Sequence, residues 1–254
     1  MATKGSADVA FILLGGRSIM GRVTEFSDSL EALTEETTPL GVAYDTPGAV
    51  GQKKWELQQN GFYDTEIGAI LEAYELSGAQ NLMYGLEGNE IGADFLGCSA
   101  IRTTIERMAE RGTLHKANAS FVSAGEHDEG KVGAHLVART TAGPTSTATL
   151  DWGVAYANQI TGKIVAYIGV TDLVLGGATA LQVKVRDSDD DITYADVITF
   201  TAVTAAPDSD RQEVAAAAVP NDIERYTQVQ WQFTGTPGGS QTATFAVGIS
   251  RPLT

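Results

Sequence analysis

The last hundred residues alternate apolar and polar side chains so regularly that a one-sided β-sheet is the structure they fit. Leu181, Val183 and Val185 alternate with Gln182, Lys184 and Arg186, and Val229, Trp231 and Phe233 with Gln228, Gln230 and Gln232. Ile198 and Phe200 alternate with Thr199 and Thr201, and Phe245, Val247 and Ile249 close the series. A period of two sends successive side chains to opposite faces of a pleated strand, so each strand buries one face and wets the other. Lys163–Val170 adds a continuous apolar strand. Several one-sided strands at short spacing, with no convincing helix between them, predict an antiparallel sandwich.

Earlier in the chain, Gly51–Tyr74 combines a strand with a helix. Trp55 and Leu57 share one face, with Lys54, Glu56 and Gln58 on the other. Gly61 is expected to break this strand. Asp64 then stands where a helix N-cap belongs, ahead of Ile67, Ile70, Leu71 and Tyr74 at helical spacing. The Asp64 and Glu66 carboxylates suit the positive end of that helix. One short helix, over about 64–76, is predicted to flank a sheet.

A chain of 254 residues suits one large domain or two ordinary ones, and 43% hydrophobic with 19% charged residues describes a folded protein. Its net charge of −15 argues against gripping nucleic acid, because phosphate binding needs a basic surface. It permits a surface past which nucleic acid slides. Cys98 is the one cysteine, so no internal disulfide forms, and its expected role is that of a small apolar core residue. No stretch reaches the roughly 18 apolar residues of a membrane helix. The apolar run Val9–Leu14 is shorter than a signal-peptide core and reads as a first strand, so a chain used without export is expected.

The remaining organisation is read in chain order. Residues 1–8 are small and polar and predict an arm. Gly15–Gly16 marks a turn, and Arg22–Leu33 a broken strand. A long loop over about 34–51 follows, rich in threonine, glycine and proline; an arm to a neighbouring subunit and an idle surface loop both account for it. Ser77–Gly92 reads as loop, and Ala100–Ala109 mixes helical and strand signals and is read as strand. Ala119–Val122 and Val132–Arg139 read as short strands joined by a polar hairpin over Gly125–Gly130. Thr140–Thr149 has the composition of a domain boundary. The expected domains are therefore 1–145, with the helix and the long loop, and 151–254, the C-terminal sandwich. The fold class is mainly β: an antiparallel β-sandwich or barrel with one short flanking helix, plus a second C-terminal β-sandwich domain.

No pattern of residues spells out a catalytic or metal site. His115, His127 and His135 fit no ligand spacing, and Cys98 has no second cysteine for zinc. His127-Asp128-Glu129 reads as a solvated turn. Asp187, Asp189 and Asp191 occupy positions 1, 3 and 5 of a calcium-type loop, but Ile192 and Ile198 stand where glycine and glutamate are needed. An acidic turn is the better reading. No GxSxG, P-loop or GxGxxG motif is present. Neither catalytic residues, nor a metal, nor a cofactor is expected.

The first part carries Thr37-Thr38, the polar loop to Gly51, Lys54-Trp55-Glu56-Leu57 and Gly61-Phe62-Tyr63-Asp64. The second carries Val183-Lys184-Val185-Arg186-Asp187-Ser188-Asp189, Tyr194-Ala195-Asp196, Thr199-Phe200-Thr201, Glu224-Arg225-Tyr226 and Thr244-Phe245-Ala246-Val247-Gly248 with Arg251. In these motifs the chain resembles the major tail (tail tube) proteins of long, flexible-tailed bacteriophages. Residues 77–115 depart from the family's pattern. The resemblance implies a structural, non-enzymatic virion protein, assembled in the bacterial host cytoplasm. Its partners would be itself, as homo-hexameric rings stacked into a tube, and other tail proteins at the tube ends. DNA would pass through the channel without specific binding, no membrane would be involved, and an outer second domain would decorate the tube.

Other classes share this profile. A head decoration or capsid-surface protein is equally β-rich, acidic and cysteine-poor. A carbohydrate-binding or adhesin module shares the sandwich, and a hydrolase with dispersed carboxylates would leave no motif.

Overall fold

The computed structural model describes residues 11–19, 23–36, 47–63, 68, 70–72, 78–85, 88–109, 114–153, 163–215 and 224–251. The chain runs β1 (Ile12–Leu14), β2 (Arg17–Ser18), β3 (Val23–Glu36), β4 (Pro47–Phe62), β5 (Gln80–Gly85), β6 (Asp94–Met108) and β7 (Lys116–Arg139). It continues as β8 (Thr145–Ser146), β9 (Leu150–Asp151), β10 (Lys163–Val174), β11 (Ala178–Ser188), β12 (Ala195–Thr199), β13 (Asp208–Ala215), β14 (Tyr226–Gly235) and β15 (Thr242–Ser250). Residues 68 and 70–72 are helical. The protein is thus mainly β, with antiparallel sheets and one short helix, and its described strands form no closed barrel. The proposed cap Asp64 lies outside the described residues.

The chain divides into two compact units. Unit 1 comprises Met1–Met20, Asn81–Cys98 and Asp128–Thr254, and unit 2 comprises Gly21–Gln80 and Ser99–His127. The divisions fall inside β6 and β7 and not in Thr140–Thr149. The reason is hydrogen bonding: the second half of β7 pairs with β15, from Arg139↔Ala243 to Lys131↔Ile249.

In unit 1, one sheet orders β13-β10-β15-β7-β6-β5-β1-β2 and a second orders β12-β11-β14-β8, with β9 also on β14. Ile164, Ala166, Ile168 and Val170 of β10, with Phe245 and Val247 of β15, pack against Val183 and Val185 of β11 and Val229, Trp231 and Phe233 of β14. Full burial of each such large apolar side chain is worth roughly 1.5–3 kcal/mol. The alternation in the sequence is therefore the inner face of a sandwich. The intervening Val165 and Tyr167 point the other way, into a second core with Phe11, Leu13, Met83 and Phe95. β10 is buried on both faces, which is why Lys163–Val170 is continuously apolar. At Gly248 a Cβ would lie 2.3 Å from the Phe95 ring, so glycine there lets that ring lie flat on β15.

Arg139 is buried between these strands, 6% exposed. Its guanidinium donates to the carbonyls of His135, Val137 and Phe245 at 2.8–2.9 Å and lies 4.0 Å from the Phe245 ring centroid and 5.0 Å from that of Trp231. Burial pulls its pKa down to about 10.

Several expectations need correction. The two short strands and polar hairpin expected over 119–139 are one continuous strand, β7. Thr140–Thr149 is the edge of the second sheet: Thr145 and Ser146 pair with Trp231 and Gln230, and Thr147 exchanges hydrogen bonds with Val229. Gln80–Gly85 within the expected loop 77–92 is strand β5, paired with β1. The loop expected over 34–51 is strand at both ends, with Thr34↔Ala49 and Glu36↔Pro47 in register, and residues 37–46 lie outside the described ones. β4 does not stop at Gly61, which pairs with Val23 and Ala117.

Candidate functional site

Unit 2 is organised around β4. It pairs antiparallel with β3 on one side, from Gly61↔Val23 to Pro47↔Glu36. On the other it pairs with the start of β7, from Glu56↔Val122 to Phe62↔Lys116, and β6 neighbours β7. Residues directly opposite across an antiparallel ladder share a face, so the register assigns every side chain. Trp55, Leu57 and Gln59 share a face with Ala117, Ala119 and Phe121, and all six are buried. The Trp55 and His127 rings stack there at 5.9 Å. The short helix is fastened to β6, where Arg102 donates to the Leu71 carbonyl and Arg107 pairs with Glu72.

The opposite face is mostly polar, with Val122 opposite Glu56 and Phe62 opposite Lys116 also on it. It presents Glu25, Ser27, Ser29 and Glu31 of β3, all exposed, beside Glu56, Gln58 and Asn60 of β4 and Asn118 and Ser120 of β7. Asn60 donates to Glu25 Oε2 at 3.1 Å. Lys116, opposite Phe62, is a cation that the register puts on this face. Asp28, although exposed, pairs with Leu57 and so belongs to the other face.

Two further features stand out in this unit. β3 pairs with β4 alone among the described strands, so a strand of 14 residues offers an open edge. At the far end of β4, Phe62, Met108 and Leu114 are 39%, 46% and 68% exposed. Tyr63 N donates to the His115 carbonyl there, and the Arg107 guanidinium lies 5.5 Å from the Tyr63 ring centroid.

The residues weighed for chemistry are dispersed. His115 precedes β7, while His127 and His135 lie along it. Asp128 is not in a solvated turn: it is 7% exposed within β7 and accepts from the Tyr167 hydroxyl at 2.5 Å. Arg211 donates to both, at 3.0 Å to the Tyr167 oxygen and 3.2 Å to Asp128 Oδ2. Burial first, and then the Asp128 charge, raises the Tyr167 pKa. Sequence reading missed this cluster because its members lie on three strands far apart in the chain.

Cys98 is buried, and burial followed by the Asp128 charge pushes its thiol up to about 12, so it is an inert core residue. In the acidic turn, Asp190 Oδ1 accepts from the backbone of Ile192 and Thr193 at 2.9 and 2.8 Å, and Asp191 Oδ1 accepts from Thr149 at 2.7 Å and from Tyr194. Those carboxylates stabilise the turn itself. A cleft of about 290 Å³ in unit 1 is walled by Phe95 and Trp152, and its Lys131 pairs with Asp94 while Arg251 lies over Trp152.

No family model and no curated protein matches this chain. Among solved structures, a chain from the virion of a native gene transfer agent particle is similar at 11% identity and TM-score 0.42, over 50% of this chain and 98% of that one. A chain from the tail of an empty gene transfer agent particle with C6 symmetry is similar at 14% identity and TM-score 0.40, over 49% and 97%. The SPP1 Dit protein, described as a hub of the adsorption apparatus in phages infecting Gram-positive bacteria, is similar at 12% identity and TM-score 0.35, over 96% and 99%.

Proposed function

We propose that this chain is a structural subunit of a phage-like tail tube, polymerising as stacked hexameric rings around a channel for DNA. The observation that carries the reading is the unit 2 sheet, with one face buried, the other mostly polar and carrying Glu25, Glu31 and Glu56, and β3 open along its edge among the described strands. An open edge is a template for another chain's strand, and a head-to-tail contact that repeats by rotation closes a ring. The polar face then lines the channel. Glu25, Glu31 and Glu56 repel phosphate and outnumber the Lys116 cation on this face, so the genome stays mobile. The sandwich of β10 and β15 against β11 and β14 serves as decoration in this reading. Other tail proteins cap the tube, and no catalytic step is required of any residue.

Electron microscopy of the purified full chain tests this directly. Hollow tubes or rings with sixfold averages are expected. Monomers at high concentration, or decoration of a capsid shell in place of a tail, would overturn it.

A further inference from the structure

The outer face of the second sheet in unit 1 carries a row of amides. The alternation that buries Val229, Trp231 and Phe233 turns Gln228, Gln230 and Gln232 of β14 outward, and Tyr226 ends the row. The register sets Gln228 opposite Arg186, Gln230 opposite Lys184 and Gln232 opposite Gln182 of β11. On the other side of β14, Ser146 stands opposite Gln230. Residues directly opposite share a face, and the row from Tyr226 to Gln232 runs about 20 Å at about 3.3 Å per residue. Gln182 donates its amide to the Phe200 carbonyl at 2.7 Å. The Gln228, Gln230 and Gln232 amides make no hydrogen bond among the described residues, and all three are half-buried.

Charge narrows what this face can hold. Lys184 and Arg186 both pair with Asp196, and Arg225, beside Tyr226, pairs with Asp151. On a chain of net charge −15 the face is therefore close to neutral. Without surplus cations it has no hold on phosphate, and without an apolar centre it lacks what anchors a protein partner. An amide offers a donor and an acceptor side by side, the pattern that meets the vicinal hydroxyls of a sugar. Tyr226 adds a ring with a polar tip. We propose that the Gln228–Gln230–Gln232 face of the β11–β14 sheet binds an extended neutral glycan. The site lies within one chain, so it goes beyond the tube reading and does not depend on it.

The test is electrophoresis of the full chain through native gels cast with dextran, hydroxyethylcellulose or polygalacturonate. Retardation by one or both of the neutral polymers is expected, and mobility against polymer concentration gives the dissociation constant. The variant carrying Gln228→Ala, Gln230→Ala and Gln232→Ala should raise that constant about ten-fold or more, since it removes three hydrogen-bonding groups at once. Gln230→Glu keeps the side chain's size and removes its donor, so it should weaken retention even if the alanine variant is less stable. No retardation by either neutral polymer overturns the proposal. Retardation by polygalacturonate alone also overturns it, because Lys184 and Arg186 would then be holding an anion. Parent-like retention of both variants would place the glycan elsewhere and overturn the assignment to this face.

Discussion

Tyr167 and Asp128 share a 2.5 Å hydrogen bond in the interior of unit 1, and Arg211 donates to both. The phenol is fully buried, so it has no water to fall back on. Tyr167→Phe should cost about 1.5–3 kcal/mol, the range for a hydrogen bond to a charged group. The sign of the pH dependence follows from the raised pKa. The folded state holds the phenolic proton more tightly than the unfolded chain, so this stabilisation is complete below about pH 10, the ordinary tyrosine range, and is lost as pH rises above it. Denaturant melts should show a steeper alkaline decline for the parent than for Tyr167→Phe. Parallel declines would mean another group controls the alkaline limb.

Gln59 offers the opposite experiment. It is 1% exposed beside Trp55 and Leu57, and neither its amide nitrogen nor its oxygen finds a hydrogen-bond partner. An unsatisfied buried amide costs about 1–3 kcal/mol. Gln59→Met keeps the length and removes the polar atoms, so it should raise the unfolding midpoint of the full chain. A fall in stability would show that the amide is hydrogen-bonded in solution.

The legible part of this fold was the part governed by periodicity. Leu181, Val183 and Val185, and Val229, Trp231 and Phe233, face one core as their spacing requires. Trp55 and Leu57 are buried and Gln58 exposed, again as the period predicts. Misreadings arose where glycine and charge imitate a turn. The segment Gly125–Gly130 looks like a hairpin, yet Gly130 sits in β7 where a Cβ would lie 2.0 Å from the Ile249 carbonyl oxygen. That glycine serves a close strand approach, a signal indistinguishable from a turn in one sequence. Thr145 and Ser146 likewise resemble a linker because an edge strand needs no apolar alternation. Among the acids of β3 and β4, Glu25, Glu31 and Glu56 share the polar face, and only the register separates Asp28 from them.

Trp231 probes the sandwich. It is 7% exposed, meets the Phe245 ring edge-on at 6.0 Å, and lies under the Arg139 guanidinium. Trp231→Ala should cost about 3–5 kcal/mol, as for other buried aromatics cut to alanine, because it opens a cavity where the two sheets meet. Urea unfolding followed by circular dichroism measures the loss. A cost below about 1 kcal/mol would place that ring outside the core.

The register of β3 against β4 makes the channel reading testable with an internal control. Glu25, Glu31 and Glu56 lie on the polar face, and Asp28, an acid of the same strand as Glu25 and Glu31, lies on the other. Particles assembled with Glu25→Lys, Glu31→Lys and Glu56→Lys should release their genome more slowly than the parent. The delay should be larger at low salt, because screening weakens at low ionic strength and each new phosphate contact adds to the salt slope. Asp28→Lys, which changes charge by the same step on the opposite face, should leave release unchanged at both ionic strengths. Timing ejection of all three at two salt concentrations separates the outcomes. If Asp28→Lys slows release as much per charge as the triple variant, net charge and not the polar face controls passage. If neither slows it, Glu25, Glu31 and Glu56 do not line the path of the DNA.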